Sequence, residues 1–124
     1  MPAVYYIPDF VTEEEAARLS TRVFEMPPGS WANLKRRRLQ SHGGTPHPEG
    51  MVPHRVPSFI SAVMSTLVGS GVFPSSDPPN HVLLNEYSLG QGIMPHKDGP
   101  LYAPLVAILS LCGPAMLCFW KSVK

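Results

Sequence analysis

Proline sets the first limit on what this chain can fold into. Fifteen of its 124 residues are proline, a residue that lacks a backbone N–H, fixes φ, ends helices and is confined to the edges of sheets. Pro27, Pro28, Pro46, Pro48, Pro53, Pro57, Pro74, Pro78 and Pro79 fall in loop-like stretches. The sequence therefore predicts short elements joined by irregular connections and excludes a helical bundle. With 44% hydrophobic and 15% charged residues and a net charge of +1, the composition is globular, and the length is that of one domain over residues 1–124. No internal repeat is visible.

The first half carries two helical patterns. Thr12 and Glu15 make a Thr-x-x-Glu capping box, Glu13 and Glu14 suit the positive end of a helix dipole, and Ala16, Leu19, Val23 and Phe24 fall on one stripe before Pro27-Pro28 stops it. Between Pro57 and Gly69, the spacing of Phe59, Ile60, Val63, Met64 and Leu67 predicts a second helix. Strands are expected at residues 3–7 ("AVYYI"), over an exposed 34–40 ("LKRRRLQ"), in "HVLLNEYSLG", in "IMPHKD", and over 105–111 and 115–120. The proline-rich stretch 45–57 reads as a loop in which His47 and His54 are not ligands. Helices followed by consecutive short strands imply an α+β fold, with the helices packed on a mostly antiparallel sheet.

Two local features bear on partners. The run "KRRR", residues 35–38, gathers four of the ten basic residues; a solvated strand edge and a phosphate-contacting patch both account for it. "LYAPLVAILSLCGPAMLCFW", residues 101–120, is uncharged and long enough to cross a bilayer. Pro104 and the Cys112-Gly113-Pro114 break divide it into strand-length runs, which argues against a membrane span. Cys112 and Cys118 lie in this apolar segment and are expected to be buried, reduced thiols of an intracellular protein, and no basic and apolar leader pattern opens the sequence.

The chemistry concentrates in "MPHKDGP", residues 94–100. Side chains two apart on a strand share a face, so His96 and Asp98 can present an imidazole and a carboxylate to one point while Lys97 turns away. Such a pair supplies two of the three ligands of the 2-His-1-carboxylate triad of non-heme Fe(II) oxygenases. A surface His–Asp contact at a strand end accounts for the bare pair equally well. The longer stretch "NEYSLGQGIMPHKD" resembles the Asn-x-Tyr-x-x-Gly…His-x-Asp motif of the AlkB family of Fe(II)- and 2-oxoglutarate-dependent dioxygenases. The likeness extends through "YYIPDFVTEEEA", "RLQSHGGTPHPEGMVPHRVPSFI" and "MPHKDGPLYAPLVAILSL", and is strongest to the family's homologue 6 branch.

The resemblance implies a double-stranded β-helix, or jelly roll, with His96 and Asp98 as iron ligands at its rim and Asn85 and Tyr87 as contacts to the cosubstrate 2-oxoglutarate. It further implies oxidative N-demethylation of nucleic acid in the nucleus and cytoplasm, with Lys35, Arg36, Arg37 and Arg38 as nucleic-acid contacts beside the substrate lid. The sequence also departs from the family. No histidine and no arginine follows Asp98, whereas the family pattern has a distal histidine as third iron ligand and a downstream arginine that clamps the far carboxylate of 2-oxoglutarate. His42, His47, His54 and His81 are not expected to substitute. The expectation is thus the amino-terminal part of a dioxygenase domain, a carboxy-terminally truncated isoform with an incomplete jelly roll, weak cofactor binding and impaired activity. The rival expectation is a non-catalytic nucleic-acid-binding or regulatory fragment that pairs with another chain through its open sheet edge.

Overall fold

The computed structural model of the chain describes residues 3–121. They fall into two units: the chain up to Met26 together with Leu109–Leu117, and Pro27–Ile108 together with the chain from Cys118 onward. The architecture is mixed α+β, with antiparallel sheets of three and two strands.

The first unit is organised by α1, Glu13–Phe24. The capping box forms as the sequence requires: Thr12 Oγ1 accepts from the Glu15 amide at 3.1 Å, and Glu15 Oε1 accepts from the Thr12 amide at 3.4 Å. An N-cap of this kind stabilises a helix by about 1 kcal/mol. Ala16, Leu19 and Val23 lie along the covered stripe, with Val23 buried, while Phe24 is exposed. Within the same unit Cys112 Sγ donates to Ser20 Oγ at 3.2 Å. α1 groups with residues 109–117, and the sheets belong to the other unit.

The second unit begins with a hairpin. Strands β1, Ala32–Leu34, and β2, Arg37–His42, pair antiparallel around a two-residue turn at Lys35-Arg36, with Leu34 opposite Arg37. The single exposed strand expected over 34–40 is thus two strands, since Lys35 and Arg36 are spent on the turn. A second hairpin, β3 (Gly44–His47) with β4 (Gly50–Pro53), replaces the loop expected over 45–57. Pro46 and Pro53 are compatible with it because a two-stranded sheet has only edge strands, whose outward positions need no N–H. After α2, Ser58–Gly69, the chain returns as β5, Val82–Glu86, which pairs with β2 to give the order β1-β2-β5. The face of α2 formed by Phe59, Ile60, Val63, Met64 and Leu67 is the covered one, as its periodicity predicts. Ile60, Phe73, Gln40 and His42 are the unit's buried side chains among the described residues.

The strands expected at 3–7, in 93–98, and over 105–111 and 115–120 do not form; these segments join no ladder. A β-branched or apolar run becomes a strand only when another strand satisfies its backbone groups. Tyr5, Tyr6, Ile108, Met116, Phe119 and Trp120 are instead exposed. Cys112 and Cys118 are exposed free thiols rather than buried ones for the same reason. Among the described residues no helix is long and apolar enough to cross a membrane.

Candidate functional site

Strand β5 positions the first pair of candidate residues. Along it Val82, Leu84 and Glu86 are partly covered while Leu83 and Asn85 are exposed, the alternation of a strand with one face turned inward. The register sets Asn85 opposite Leu39 and Leu83 opposite Ser41, so these residues share the more open face of the sheet. Tyr87 follows the strand end and is 40% exposed. The turn after it is held by Ser88 N donating to Gln91 Oε1 at 2.9 Å, and by Gly92 N donating to the Arg36 carbonyl at 3.1 Å.

His96 and Asp98 are brought together without a strand. His96 Nδ1 lies 2.8 Å from the Met94 carbonyl. A carbonyl only accepts, so Nδ1 carries a proton, and in the neutral tautomer this selects, the lone pair is on Nε2. Nε2 faces Asp98 Oδ1 at 3.7 Å, and both side chains are about half exposed. The bend that links His96 to the residue two before it replaces the expected pleat, yet it brings the two side chains to one point as the pleat would. A separation of 3.7 Å is under twice a metal–ligand bond of about 2.1 Å, so one cation can touch both atoms. No set of three His, Cys, Asp or Glu side chains that could hold a metal occurs among the described residues. Asp98, with Lys97, Tyr102 and Val106, also lines a concavity of about 480 Å³. No hydrogen bond or ion pair among the described residues joins the Asn85–Tyr87 pair to the His96–Asp98 pair.

The "KRRR" run does not act as one patch. Lys35 and Arg36 are exposed at the hairpin turn. Arg37 and Arg38 alternate across β2. Arg38 is opposite Glu86, pairs with its carboxylate, and stacks over Trp31 with the guanidinium carbon 4.1 Å from the ring centroid. That arrangement occupies the guanidinium with both a charge and a π face. Arg37 lies on the opposite face, and its Nε is buried without an acceptor.

The polar contacts along β2 have no counterpart in the sequence reading. Gln40 is fully buried, and its Oε1 accepts from His42 Nε2 at 2.9 Å. Ser41 Oγ donates to the Gly44 carbonyl at 3.2 Å and accepts from His81 Nε2 at 3.1 Å. His81 also meets Tyr102 edge to face, 5.5 Å between centroids. Strand alternation in "RLQSH" holds the only signal, since Gln40 and His42 fall on the face that partners Val82 and Leu84. Burial, and secondarily the neighbouring His81, hold the His42 pKa below its ordinary 6.5; burial does the same for His81, opposed by a backbone hydrogen bond at Gly44.

Both rings are neutral in the fold, so the unfolded chain takes up their protons first as the pH falls. Stability is expected to be flat with respect to these groups above pH 6.5 and to decline as the pH drops from there toward the lowered folded values. Denaturation midpoints at pH 7.5 and pH 5.5 measure the decline, and a His42→Gln variant should show a shallower one.

Comparison with known proteins places this geometry in context. The sequence is 42% identical over 122 residues to "Probable RNA/DNA demethylase ALKBH6" of Danio rerio, covering 98% of this chain and 52% of that protein. It is 30% identical over 132 residues to "Alkylated DNA repair protein ALKBH8 homolog" of Arabidopsis thaliana, covering 96% of this chain and 36% of that one. "Uncharacterized protein L905" of Acanthamoeba polyphaga mimivirus is 25% identical over 122 residues, covering 94% and 56%. No protein-family model matches. The chain spans about half the length of the first and third of these relatives. It belongs to the AlkB family. Within that family it is more like ALKBH6 than ALKBH8.

Proposed function

We propose that the chain is part of an Fe(II)- and 2-oxoglutarate-dependent dioxygenase that removes N-alkyl groups from nucleic acid, and that its strands contribute to a double-stranded β-helix. The observation that carries this reading is the His96–Asp98 pair, in which Nδ1 bonded to the Met94 carbonyl leaves Nε2 free to bind a metal beside a carboxylate. His96 and Asp98 hold the iron; Asn85 and Tyr87 contact 2-oxoglutarate. Iron and 2-oxoglutarate held there would supply the chemistry that oxidises an N-methyl carbon, with dioxygen as the oxidant and 2-oxoglutarate as the co-reductant. The protein's part is orientation: the Met94 carbonyl fixes the imidazole, and the turn at Ser88–Gly92, tied to Arg36, fixes the backbone that follows Tyr87. The relatives named for RNA, DNA or alkylated DNA support a nucleic-acid substrate; the nucleus and cytoplasm are the proposed place of action.

Two protein ligands are fewer than an open iron site normally uses, and residues 99–124 contain neither histidine nor arginine. On its own the chain should therefore bind iron weakly and turn over slowly. Anaerobic Fe(II) titration, with and without 2-oxoglutarate, tests the site. Binding in the wild-type chain should weaken by more than about tenfold in a His96→Ala, Asp98→Ala double variant. Equal binding by the two proteins would refute the assignment. The exposure of Lys35 and Arg36 at the hairpin turn favours a second reading, a non-catalytic nucleic-acid-binding fragment. Salt-dependent oligonucleotide binding that needs no metal and survives the double variant would select it.

A further inference from the structure

We infer that Arg37 is an oxyanion-binding residue of the Asn85–Tyr87 face, where it takes a carboxylate of the small dicarboxylate cosubstrate rather than a nucleic-acid phosphate. The inference rests on the reading that this face receives 2-oxoglutarate. Its starting point is the sheet register. Arg37 opens β2 opposite Leu34, and the next pair along the sheet is Arg38 with Glu86. The ladder ends at that pair with Tyr87 following directly after it, and strand alternation puts Arg37, Leu39 and Asn85 on one face. A guanidinium and a carboxamide thus share one face of the sheet, with a phenol just past the strand end, each able to donate to an anion.

The second observation is the state of the guanidinium itself. Nε of Arg37 is buried with no hydrogen-bond partner. A buried charged donor left without an acceptor is costly, and an oxyanion presented in the plane of the fork removes that cost with parallel N–H···O bonds. Arg38, one residue on, is satisfied by Glu86 and Trp31 on the other face, so the arginine without an acceptor is the one directed to the open face. The same burial separates a small anion from a polynucleotide. A phosphate backbone tracks exposed cations such as Lys35 and Arg36 at the hairpin tip, whereas a buried Nε is reached by a ligand that enters the face. Arg37 would then supply a guanidinium that the residues after Asp98 do not contain.

Calorimetric titration of 2-oxoglutarate into the chain, in the presence of Fe(II) without oxygen, tests the assignment. Arg37→Met should raise Kd about tenfold or more, Arg37→Lys should recover part of the loss, and Arg18→Gln, at an exposed position of α1, should leave Kd unchanged. Unchanged far-ultraviolet circular dichroism identifies variants that fold, and the lysine variant keeps the test open if the methionine variant does not. Wild-type binding that persists at equal strength in Arg37→Met and Arg37→Lys overturns the inference and leaves the proposed function standing. No 2-oxoglutarate binding by the wild type removes both. Loss of single-stranded oligonucleotide binding in Arg37→Met with 2-oxoglutarate binding intact makes Arg37 a nucleic-acid contact and also overturns it.

Discussion

Replacing Gly43 with alanine is expected to destabilise the second unit by at least about 3 kcal/mol, measured as a shift in the urea midpoint followed by Trp31 fluorescence. Two effects add. Gly43 joins β2 to β3 with φ at +92°, a backbone state that costs a side-chain-bearing residue about 1 kcal/mol or more. A Cβ there would also lie 2.1 Å from the Asn80 carbonyl oxygen, and the obstructing atom is backbone. Either the bend or the segment leading into β5 must move, while the Gly43 carbonyl must keep the bond at 2.9 Å that it accepts from the His54 amide. Gly50 supplies the control. Its φ is +133° but nothing lies within 4 Å of its Cβ position, so alanine there should bring the conformational cost alone. Equal midpoint shifts for the two variants would show that the close approach of Asn80 does not hold in solution.

The other large effect is expected at Gln40. Exchange for leucine keeps the volume roughly constant but leaves the His42 Nε2–H, bonded at 2.9 Å to the Gln40 carboxamide, without its acceptor in a buried site. The cost of stranding such a donor is about 1–3 kcal/mol. The same urea experiment at pH 7.5 reads it, where both neighbouring imidazoles are neutral and proton uptake does not contribute. A leucine variant as stable as the parent would mean that water or another group satisfies the ring.

These two positions also mark what the sequence discloses and what it conceals. Local signals were legible: the box at Thr12 and Glu15, the 3.6-residue stripe from Phe59 to Leu67, the alternation in β5, and the juxtaposition of His96 with Asp98. Each is settled by residues within a few positions of one another. Pairing is not. The β3–β4 hairpin hides behind Pro46 and Pro53, which read as loop residues until the two-stranded sheet shows that they sit on edges. The apolar runs at 105–111 and 115–120 have the composition of strands, but pairing depends on a partner that composition cannot name. The run at 35–38 looked like one basic patch because linear charge density ignores the two-residue period that sends Arg37 and Arg38 to opposite faces. Asn85 and Tyr87 became candidates through family likeness alone, whereas the buried Nε of Arg37 on the Asn85 face emerges only from the folded chain.

The order β1-β2-β5 has a consequence in chain entropy. The two hairpins close over two-residue turns, but the β2–β5 ladder, which begins at His42 opposite Val82, must first draw together the ends of the intervening stretch 43–81. Closing a loop of that length costs about 3 kcal/mol, and the ladder between β2 and β5 has to outweigh it. The strand that carries Asn85 is therefore the most expensive part of the sheet to hold in place and the first to detach when the ladder weakens. A small anion bridging Arg37 and Asn85 would clasp β2 to β5 at the end of the ladder away from that loop, so its binding would tighten the sheet as well as fill the site.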